Sequence, residues 1–461
     1  MIRLLYPRSR KIVISSTDRK RMARRQAVKV SPIKEVFMAK VIYFSVDLHG
    51  HVNPTLGLMK KLVEHGEEVI YYSSDEFKDK IEETGASYRS YEGLVGFGTY
   101  DGGGIETFLV TADFILNRSK TIVDHFMDDI RAFQPDYIIH DAFCYWGREF
   151  AAALGIPGIT LFDNFAYIDE MADIDPAYFM ENVLRAADDP MYKKHKDGGK
   201  VYRKLLDRLS KVVSMKYGMN NVNVINDIFC AKEGLNILLT SKAFQLYPEA
   251  FNDEYHFSGY SIYPRKETVD FPFELLDGRP LLYIAFGTIF NELEALYAKC
   301  MQAFGGKDMQ VVLSVGGKVK LDELGPIPDN FIVRPYVPQL EILKRAQAFI
   351  THGGANSIHE SLCLGVPLVV APQSFDQFMG AMAVRRSGAG IFLQNHEITA
   401  DDLAQSVQRV LTESSFVENV RRIRDSFAET GGLEATVQRI FAYVKERSKS
   451  AATPEHMEAR G

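Results

Sequence analysis

Short apolar runs alternate with helix-like amphipathic stretches along most of the chain after residue 38. The run VIYFSV at 41–46 has the length and the β-branched content of a buried strand. Leu56, Met59 and Leu62 follow at helical spacing, and another apolar run begins at Glu68. A strand, a helix and a second strand within about thirty residues predict one right-handed parallel unit.

The helix of this unit is preceded by Gly50-His51-Val52-Asn53-Pro54. Asn53 can accept hydrogen bonds from the free backbone amides of a helix start, and the fixed φ of Pro54 suits the first helical position. We therefore expect the helix to begin at Asn53 and Pro54, which leaves His51 in the turn between strand and helix.

The same alternation recurs at 137–162 and starts again at Leu281. The intervening segment 259–279 is rich in Pro, Asp and Glu and has no clear period, which is typical of a linker. The pattern predicts an α/β fold of two doubly wound, Rossmann-like domains with a binding cleft between them. The predicted parts are a basic leader at 1–37, a first domain at 38–258, the linker, a second domain at 280–430, a C-terminal helix at 431–449 and a polar tail at 450–461.

Composition is ordinary for a globular protein, with 46% hydrophobic and 25% charged residues. No apolar run approaches the roughly 18 residues that a membrane-spanning helix needs, so we expect no stable membrane insertion. The four cysteines are scattered without a C-x-x-C pair. This spacing argues against a disulfide framework or a thiolate zinc site and favours a reduced, cytoplasmic setting.

The first 37 residues carry eleven Lys or Arg and only two acids, although the whole chain has a net charge of −6. The rest of the chain is therefore acidic, which argues against nucleic acid as a main partner. The basic leader has three open interpretations: an organelle transit peptide, an arm for nucleic acid or a membrane surface, and a disordered leader. We favour the disordered leader, because Met38 stands directly before the first predicted strand.

The densest group of chemically informative residues lies in the second half. A predicted strand at 348–351 leads into His352-Gly353-Gly354-Ala355-Asn356-Ser357, where a helix begins. Glycines let backbone amides approach a ligand, and the positive end of a helix favours an anion, so this pattern predicts a metal-free diphosphate cradle. Glu360 can accept hydrogen bonds from ribose hydroxyls, and the pair Asp376-Gln377 suits the hydroxyls of a sugar.

A series of motifs at fixed spacing resembles the donor signature of the family 1 nucleotide-sugar glycosyltransferases. The motifs are Tyr336-Val-Pro-Gln339, His352-Gly-Gly-Ala-Asn356-Ser357-x-x-Glu360, Gly365-Val-Pro367, Pro372-Gln373 and Asp376-Gln377. The nearer likeness is to the bacterial macrolide glycosyltransferase group, whose members include flavonoid glucosyltransferases. The resemblance spans Met38 to Lys449 and implies the GT-B fold of two facing Rossmann-like domains.

The resemblance implies a role for each matching donor residue. Tyr336 stands where the family usually has Trp stacked on uracil, and an aromatic face is kept. Gln339 matches a residue at the base or ribose, whereas Asp376 and Gln377 match the pair that holds the hexose, which favours glucose. The residues implied at the diphosphate are Thr288, His352, Asn356 and Ser357. The full donor-binding set is Thr288, Tyr336, Val337, Gln339, His352, Gly354, Asn356, Ser357, Glu360, Asp376 and Gln377, and UDP and TDP both stay open as nucleotides.

In the first half, the turn from Gly50 to Pro54 resembles the family's Gly-His-x-x-Pro turn, whose histidine is the general base. His51 is thus the implied base, and Asp141 matches the aspartate that orients the imidazole, as in a catalytic triad. The positive end of the following helix disfavours imidazolium, so we expect a neutral ring that can take a proton. We expect His49 to line the acceptor site or to face solvent.

The acceptor site is expected in the variable first half, in a loop at 93–125, in the stretch 162–167 and in a helical insertion at 165–235. The aromatic residues of these segments suit a flat apolar acceptor, although several of them can equally belong to the core. The predicted acceptor-binding residues are His49, Phe97, Phe114, Phe162 and Phe165.

Together, the family resemblance, the donor motif and the implied base predict an inverting, metal-independent enzyme. This enzyme would move a hexose from UDP-glucose to a hydroxyl of a flavonoid, phenol or macrolide. We expect a monomer or weak dimer and no cofactor. Asp173-Ile174-Asp175 fits the Asp-x-Asp pattern of metal-dependent transferases, but it lies away from the donor motif. Three alternatives stay open: a nucleotide-sugar epimerase or hydrolase on this scaffold, a non-catalytic binder, and a lipid-linked transferase at a membrane surface.

Overall fold

The first sheet has seven described strands, and every neighbouring pair is parallel. The strands are β1 (Lys40–Phe44), β2 (Glu68–Ser73), β3 (Ser87–Ser90), β4 (Tyr137–Asp141), β5 (Gly158–Phe162), β6 (Asn236–Leu238) and β7 (Tyr255–Phe257). Their order is β3-β2-β1-β4-β5-β6-β7. The central strands are almost fully buried and apolar, because helices cover both faces of such a sheet.

The second sheet repeats this arrangement with six described strands, again all parallel. They are β8 (Leu281–Ala285), β9 (Gln310–Ser314), β10 (Phe331–Arg334), β11 (Ala346–Thr351), β12 (Leu368–Val370) and β13 (Gly390–Phe392). The order β10-β9-β8-β11-β12-β13 reverses direction between β8 and β11, where ligands of doubly wound sheets bind. The prediction of two Rossmann-like α/β domains is confirmed.

The computed structural model describes residues 38–95, 105–183, 187, 190–195, 198–264, 269–287, 293–373, 375–394 and 397–452. The helices of the first half are α1 (His49–Glu64), α2 (Lys78–Glu82), α3 (Ile105–Phe133), α4 (Tyr145–Leu154), α5 (Met171–Ile174), α6 (Pro176–Tyr178), α7 (Pro190–His195) and α8 (Gly198–Tyr217). Those of the second half are α9 (Glu294–Phe304), α10 (Gln339–Leu343), α11 (Ala355–Cys363), α12 (Phe375–Ser387), α13 (Ala400–Thr412), α14 (Ser414–Glu429) and α15 (Gly432–Ala452). The predictions for the leader, Phe97, Thr288 and the end of the tail lie outside the described residues.

Two predicted boundaries in the first half are wrong. Helix α1 begins at His49 rather than at Asn53, and Pro54 lies inside it. A proline is tolerated there because only the bond from its missing N–H to the Gly50 carbonyl is lost. The predicted loop at 93–125 is helical from Ile105 onward, since α3 presents an apolar stripe that packs beneath the first sheet.

The C-terminal helix α15 returns to the first half of the chain. Val437 and Ile440 on this helix are fully buried. Its Glu434 pairs with His65 at 3.0 Å, and Thr436 lies 3.1 Å from the ring of His256. The helix therefore joins the two halves, although it follows the second domain in sequence.

An aromatic cluster fills part of the junction between the two halves. It surrounds His359 of α11 with the rings of Phe165, Phe244, Tyr260 and Phe427, at centroid distances of 4.7–5.6 Å. Phe165 and Phe244 come from the first half, whereas His359 and Phe427 come from the second. Apolar packing is therefore continuous between the domains near the cleft. Among the described residues, no helix combines the length and apolar content that a membrane crossing requires.

Candidate active site

His51 lies in the first turn of α1 and contacts the carboxyl end of β4. Its Nδ1 is 2.7 Å from Oδ2 of Asp141, and the second oxygen of Asp141 accepts the backbone N–H of Phe143 at 2.8 Å. The Asp141 side chain is 1% exposed and that of His51 is 13% exposed. A buried carboxylate thus holds one ring nitrogen, and the other nitrogen is free of this pair, which is the arrangement of a general base.

A second carboxylate, which the sequence interpretation missed, reaches the same nitrogen. Asp163 directly follows β5, the strand beside β4, and its Oδ2 lies 2.8 Å from Nδ1 of His51. Its position could have been noticed in the sequence, because the carboxyl ends of adjacent parallel strands meet at one edge of a sheet. The neighbouring Phe162 and Phe165 favoured an apolar acceptor surface at this position instead.

The two carboxylates decide the charge of the imidazole. Burial works against imidazolium, but the facing carboxylates of Asp163 and Asp141 outweigh it and raise the pKa of His51 well above its ordinary value. Burial also raises the pKa of Asp163 to about 7, together with repulsion from Asp141. The expected neutral ring is therefore wrong, because two full charges in contact outweigh about half a charge at the helix end.

His51, Asp141 and Asp163 are also the one group of three potential metal ligands found among the described residues. Their nitrogen and oxygen atoms are only 2.7 and 2.8 Å apart. Ligands at about 2.0 Å from a tetrahedral zinc ion would lie roughly 3.3 Å apart. The spacing fits a hydrogen bond to Asp141 and a close charge contact with Asp163 better than a metal shell.

Pro54 shapes the contact between α1 and the second domain. Because proline has no N–H, the carbonyl of Gly50 lacks its partner within the helix. That carbonyl accepts instead from the side-chain amide of Asn356 at 2.7 Å. The first turn of α11 therefore reaches the residue next to His51, and the predicted diphosphate and base residues meet across the cleft.

The turn between β11 and α11 is built around His352. A side chain added at Gly287 or Gly354 would come within 2.8 and 2.7 Å of its Nε2, so both glycines make room for the ring. Gly287 also has a φ of 88°, which glycine adopts without strain. Burial lowers the pKa of His352, so its ring is neutral. A neutral ring beside the positive end of α11 can donate one N–H to an anion.

Gln339 organises the predicted ribose subsite. Its amide donates to Oε2 of Glu360 at 2.8 Å and lies 3.4 Å from Oγ of Ser357, while its carbonyl accepts from Tyr283 at 3.1 Å. The predicted ribose and phosphate residues are thus held together by their own hydrogen bonds. Tyr336 is 47% exposed, which leaves its ring accessible for stacking. Val337 next to it is partly buried against the core.

The predicted hexose pair lies at the start of α12. Gln377 is buried, and its carbonyl accepts from the backbone N–H of Gln373 at 2.8 Å. Asp376 accepts from Asn164 of the first domain at 3.3 Å. Asn164 was not predicted, and it follows Asp163 directly. The loop that follows β5 therefore contacts both His51, the predicted base, and the predicted sugar-binding carboxylate.

Of the predicted acceptor residues, those that the structure describes do not form one wall. His49 pairs with Glu76 at 2.9 Å and packs on Phe77, beyond β2, rather than beside Asp141. Phe162 and Phe165 are at most 4% exposed, and Phe165 belongs to the junction cluster. Phe114 on α3 is half-buried and stacks under Arg118.

The Asp-x-Asp tripeptide has structural partners. Asp173 pairs with Arg203 at 2.5 Å, and Asp175 caps α6 by accepting the backbone N–H of Tyr178 at 2.9 Å. Asp175 also accepts the hydroxyl of Tyr247 at 2.5 Å. The two carboxylates thus stabilise the helical insertion of the first domain.

This chain is similar to known proteins in a family model, in whole sequences and in solved structures. The model of the "Erythromycin biosynthesis protein CIII-like, C-terminal domain" matches residues 298–441. YojK of Bacillus subtilis, an uncharacterized UDP-glucosyltransferase, is 35% identical over 417 residues, which cover 90% of this chain and all of YojK. The oleandomycin glycosyltransferase of Streptomyces antibioticus is 28% identical over 89% of this chain and 92% of its own.

The fold matches solved structures as well. CalG4, the calicheamicin glycosyltransferase, superimposes with a TM-score of 0.68 at 24% identity, over 89% of this chain and 99% of its own. The proteins named in these comparisons are transferases, so the epimerase or hydrolase alternative is not favoured. The chain therefore belongs to the family 1 UDP-glycosyltransferases of bacteria and is a glycosyltransferase with the GT-B fold.

Proposed function

We propose that this enzyme transfers a hexose, with glucose as the first candidate, from a UDP-sugar to a hydroxyl of a small hydrophobic acceptor with inversion and without a metal ion. The contact between Nδ1 of His51 and Asp141 carries the proposal, because it equips His51 as the base. The UDP-glucosyltransferase YojK supports the donor, and the oleandomycin glycosyltransferase supports a small apolar acceptor. Flavonoids, simple phenols and macrolides are the acceptors to test.

The proposed chemistry is a single displacement. Nε2 of His51, once unprotonated, takes the proton of the acceptor hydroxyl while the acceptor oxygen bonds to the anomeric carbon. The bond from that carbon to the diphosphate breaks, and its electron pair leaves on the phosphate oxygen. Attack from the opposite face inverts the centre, and the imidazolium later returns its proton to water.

The second domain would stabilise the leaving diphosphate. His352 is neutral and half-buried, Asn356 stands in the first turn of α11, and the helix end adds positive potential. Fixed donors aimed at a developing charge stabilise a transition state without reorganisation. In this proposal, these groups do the work that a divalent cation does in metal-dependent transferases.

The first test is product formation from UDP-glucose and an acceptor panel, followed by mass spectrometry. His51→Ala should lower kcat by about 10²–10⁴-fold, the usual contribution of a general base, and leave UDP binding unchanged. His65→Ala is the matched control, because His65 ends the same helix and pairs with Glu434 away from the cleft. Wild-type turnover in His51→Ala would refute the assigned base.

The second test adds EDTA to the same assay. Turnover should not change, since the proposed leaving-group contacts are protein groups. Loss of turnover on chelation, with recovery on addition of Mg²⁺ or Mn²⁺, would refute metal independence. TDP-glucose in parallel decides between the two nucleotides. Cytoplasmic location and a monomeric or weakly dimeric state stay predictions.

A further inference from the structure

Two carboxylates converge on one nitrogen of His51. Oδ2 of Asp141 and Oδ2 of Asp163 lie 2.7 and 2.8 Å from Nδ1. A single N–H can align with only one of them, and the bond to Asp141 has hydrogen-bond geometry. Oδ2 of Asp163 is buried without an aligned donor. Asp163 therefore acts on the ring mainly through its charge.

That charge is placed where it favours imidazolium. An anion in contact with a ring nitrogen stabilises the protonated ring, and burial keeps water from screening the pair. The side chains of Asp141 and Asp163 are at most 4% exposed. A base with one such partner is already strengthened, and a second partner strengthens it further.

We propose that Asp163 is a positioning residue that, together with Asp141, makes His51 a stronger base and suits the site to weakly acidic acceptor hydroxyls, such as those of aliphatic alcohols. This inference rests on the proposed role of His51 as general base. Phenols ionise readily and need little help from a base, whereas an alcohol gives up its proton only to a stronger one. Asp163 would thus widen the acceptor range beyond phenols.

The proton balance of the step is simple. His51 starts neutral, takes one proton on Nε2 and becomes imidazolium, while the acceptor loses that proton and gains the sugar. The carboxylates of Asp141 and Asp163 lie in contact with the ring and stabilise the new positive charge. Burial raises the pKa of Asp163 to about 7, so its carboxyl is ionised in the alkaline range where the base acts. A stronger base also keeps its own proton up to a higher pH. His51 must lose that proton before Nε2 can act, so full activity requires a higher pH.

The phenols and the thiol near the three residues stay uncharged near neutral pH. Burial raises the pKa of each phenol and thiol that interacts electrostatically with Asp141 or Asp163. These groups are Tyr43 on β1, Tyr71 on β2, Cys144 before α4, and Tyr167 after β5. Asp376 faces this region from α12 and is bonded to Asn164. His140 on β4 also faces this region, with Nδ1 3.0 Å from the backbone oxygen of Asp141. The phenols and the thiol therefore add no change of charge to the pH response of His51.

The test compares kcat/KM against pH for wild type and Asp163→Asn, with an aliphatic alcohol and a phenol as acceptors. Removing one negative charge destabilises imidazolium, so the acid limb should move to lower pH by about 1–3 units. The plateau for the alcohol should fall by about 10-fold, and the plateau for the phenol should fall less. Asp173→Asn is the matched control, because its carboxylate is exposed and pairs with Arg203 rather than with His51.

Two outcomes would overturn the inference. An acid limb that stays in place would mean that Asp163 carries no charge beside His51 in the working enzyme. An equal loss for alcohol and phenol would remove its role in acceptor choice. Melting temperature and UDP binding check folding, and Asp163→Ser is a second neutral variant if the asparagine variant does not fold.

A spectroscopic measurement separates this inference from the proposed function. The ring signals of His51, assigned with His51→Ala, are followed by NMR across the pH range in the intact protein. His51 should lose its proton at lower pH in Asp163→Asn than in wild type. This readout needs no turnover, so it tests the coupling even if His51 proves not to be the base.

Discussion

At the residue scale, the pKa values of two histidines are shifted in opposite directions by their surroundings. His51 faces two carboxylates and is shifted toward imidazolium, whereas His359 lies among aromatic rings and stays neutral. The Nδ1–H of His359 donates to the carbonyl of Ala355 at 2.7 Å, and Nε2 accepts from the hydroxyl of Thr240 at 3.0 Å. Burial lowers the pKa of His359 to about 4. The local sequence around the two histidines does not predict these opposite pKa shifts.

His359 makes the stability of the enzyme depend on pH. Its pKa is lowered by folding, so its contribution is present above about pH 6.5 and is lost as the pH falls toward 4. The shift predicts a loss of about 2 kcal/mol of unfolding free energy at pH 5 relative to neutral pH.

Urea unfolding at pH 7.5 and 5.0 measures this loss. His359→Gln should lose less stability between these values than wild type, because an amide can donate and accept without charging. His125→Gln is the control, since His125 is exposed and pairs with Glu92. Identical pH dependence in wild type and His359→Gln would contradict the prediction.

At the element scale, the spacing between a helix and a strand depends on one glycine. A Cβ at Gly147 on α4 would lie 2.4 Å from the Cβ of His140 on β4. His140 is completely buried and has no room to withdraw. The absence of a side chain at position 147 thus lets α4 pack directly on the strand that ends in Asp141.

Gly147→Ala should therefore destabilise the protein by about 1–3 kcal/mol, the usual cost of overpacking. It should also lower kcat, because displacement of β4 moves Asp141 away from His51. Gly50→Ala is the matched control for stability: it also lies in an early turn of a helix, but its nearest neighbour would be 3.9 Å away. Thermal unfolding of both variants checks the prediction, and an unchanged melting temperature for Gly147→Ala would contradict it.

At the scale of the whole molecule, the two halves are joined by elements that lie far apart in sequence. Helix α15 buries Val437 and Ile440 against the first half, and Leu433 packs close to Gly57 of α1. The junction cluster around His359 and the bond from Asn356 to Gly50 add contacts beside the cleft. The first domain is therefore completed by the last helix of the chain.

Deleting residues 432–461 should destabilise the first domain as well as remove a helix. Each large apolar side chain withdrawn from α15 costs about 1.5–3 kcal/mol of burial, and the surface that it covers becomes exposed. The expected result is a much lower melting temperature and aggregation on size-exclusion chromatography. Deletion of 453–461 alone is the control and should change the melting temperature little. Equal melting temperatures for the two truncations would contradict the role of α15.

The sequence by itself determined the order of elements and the donor motif. Buried parallel strands are short apolar runs, so the central strands β1 and β11 were predicted within two residues of their observed bounds, and the starts of β4 and β8 were predicted at Tyr137 and Leu281. Short edge strands such as β3 and β13 were missed because few of their residues carry a distinct period. Helix α14 was also missed, although its buried Phe416, Val420, Ile423 and Phe427 recur at helical spacing. The His51–Asp141 contact was predicted because each residue follows a recognisable strand and matches a known motif.

Only the tertiary structure decided the rest of the site. Asp163, Asn164 and the carbonyl of Gly50 acquire their roles from groups 112 to 306 residues away in sequence, and no local pattern encodes such a pairing. The charge of His51 depends on which two carboxylates reach it, and the direction of His49 depends on the packing of β2 against α1. Local periodicity sets which face of an element is apolar, whereas contacts between elements set the distances and dielectric surroundings on which catalysis depends.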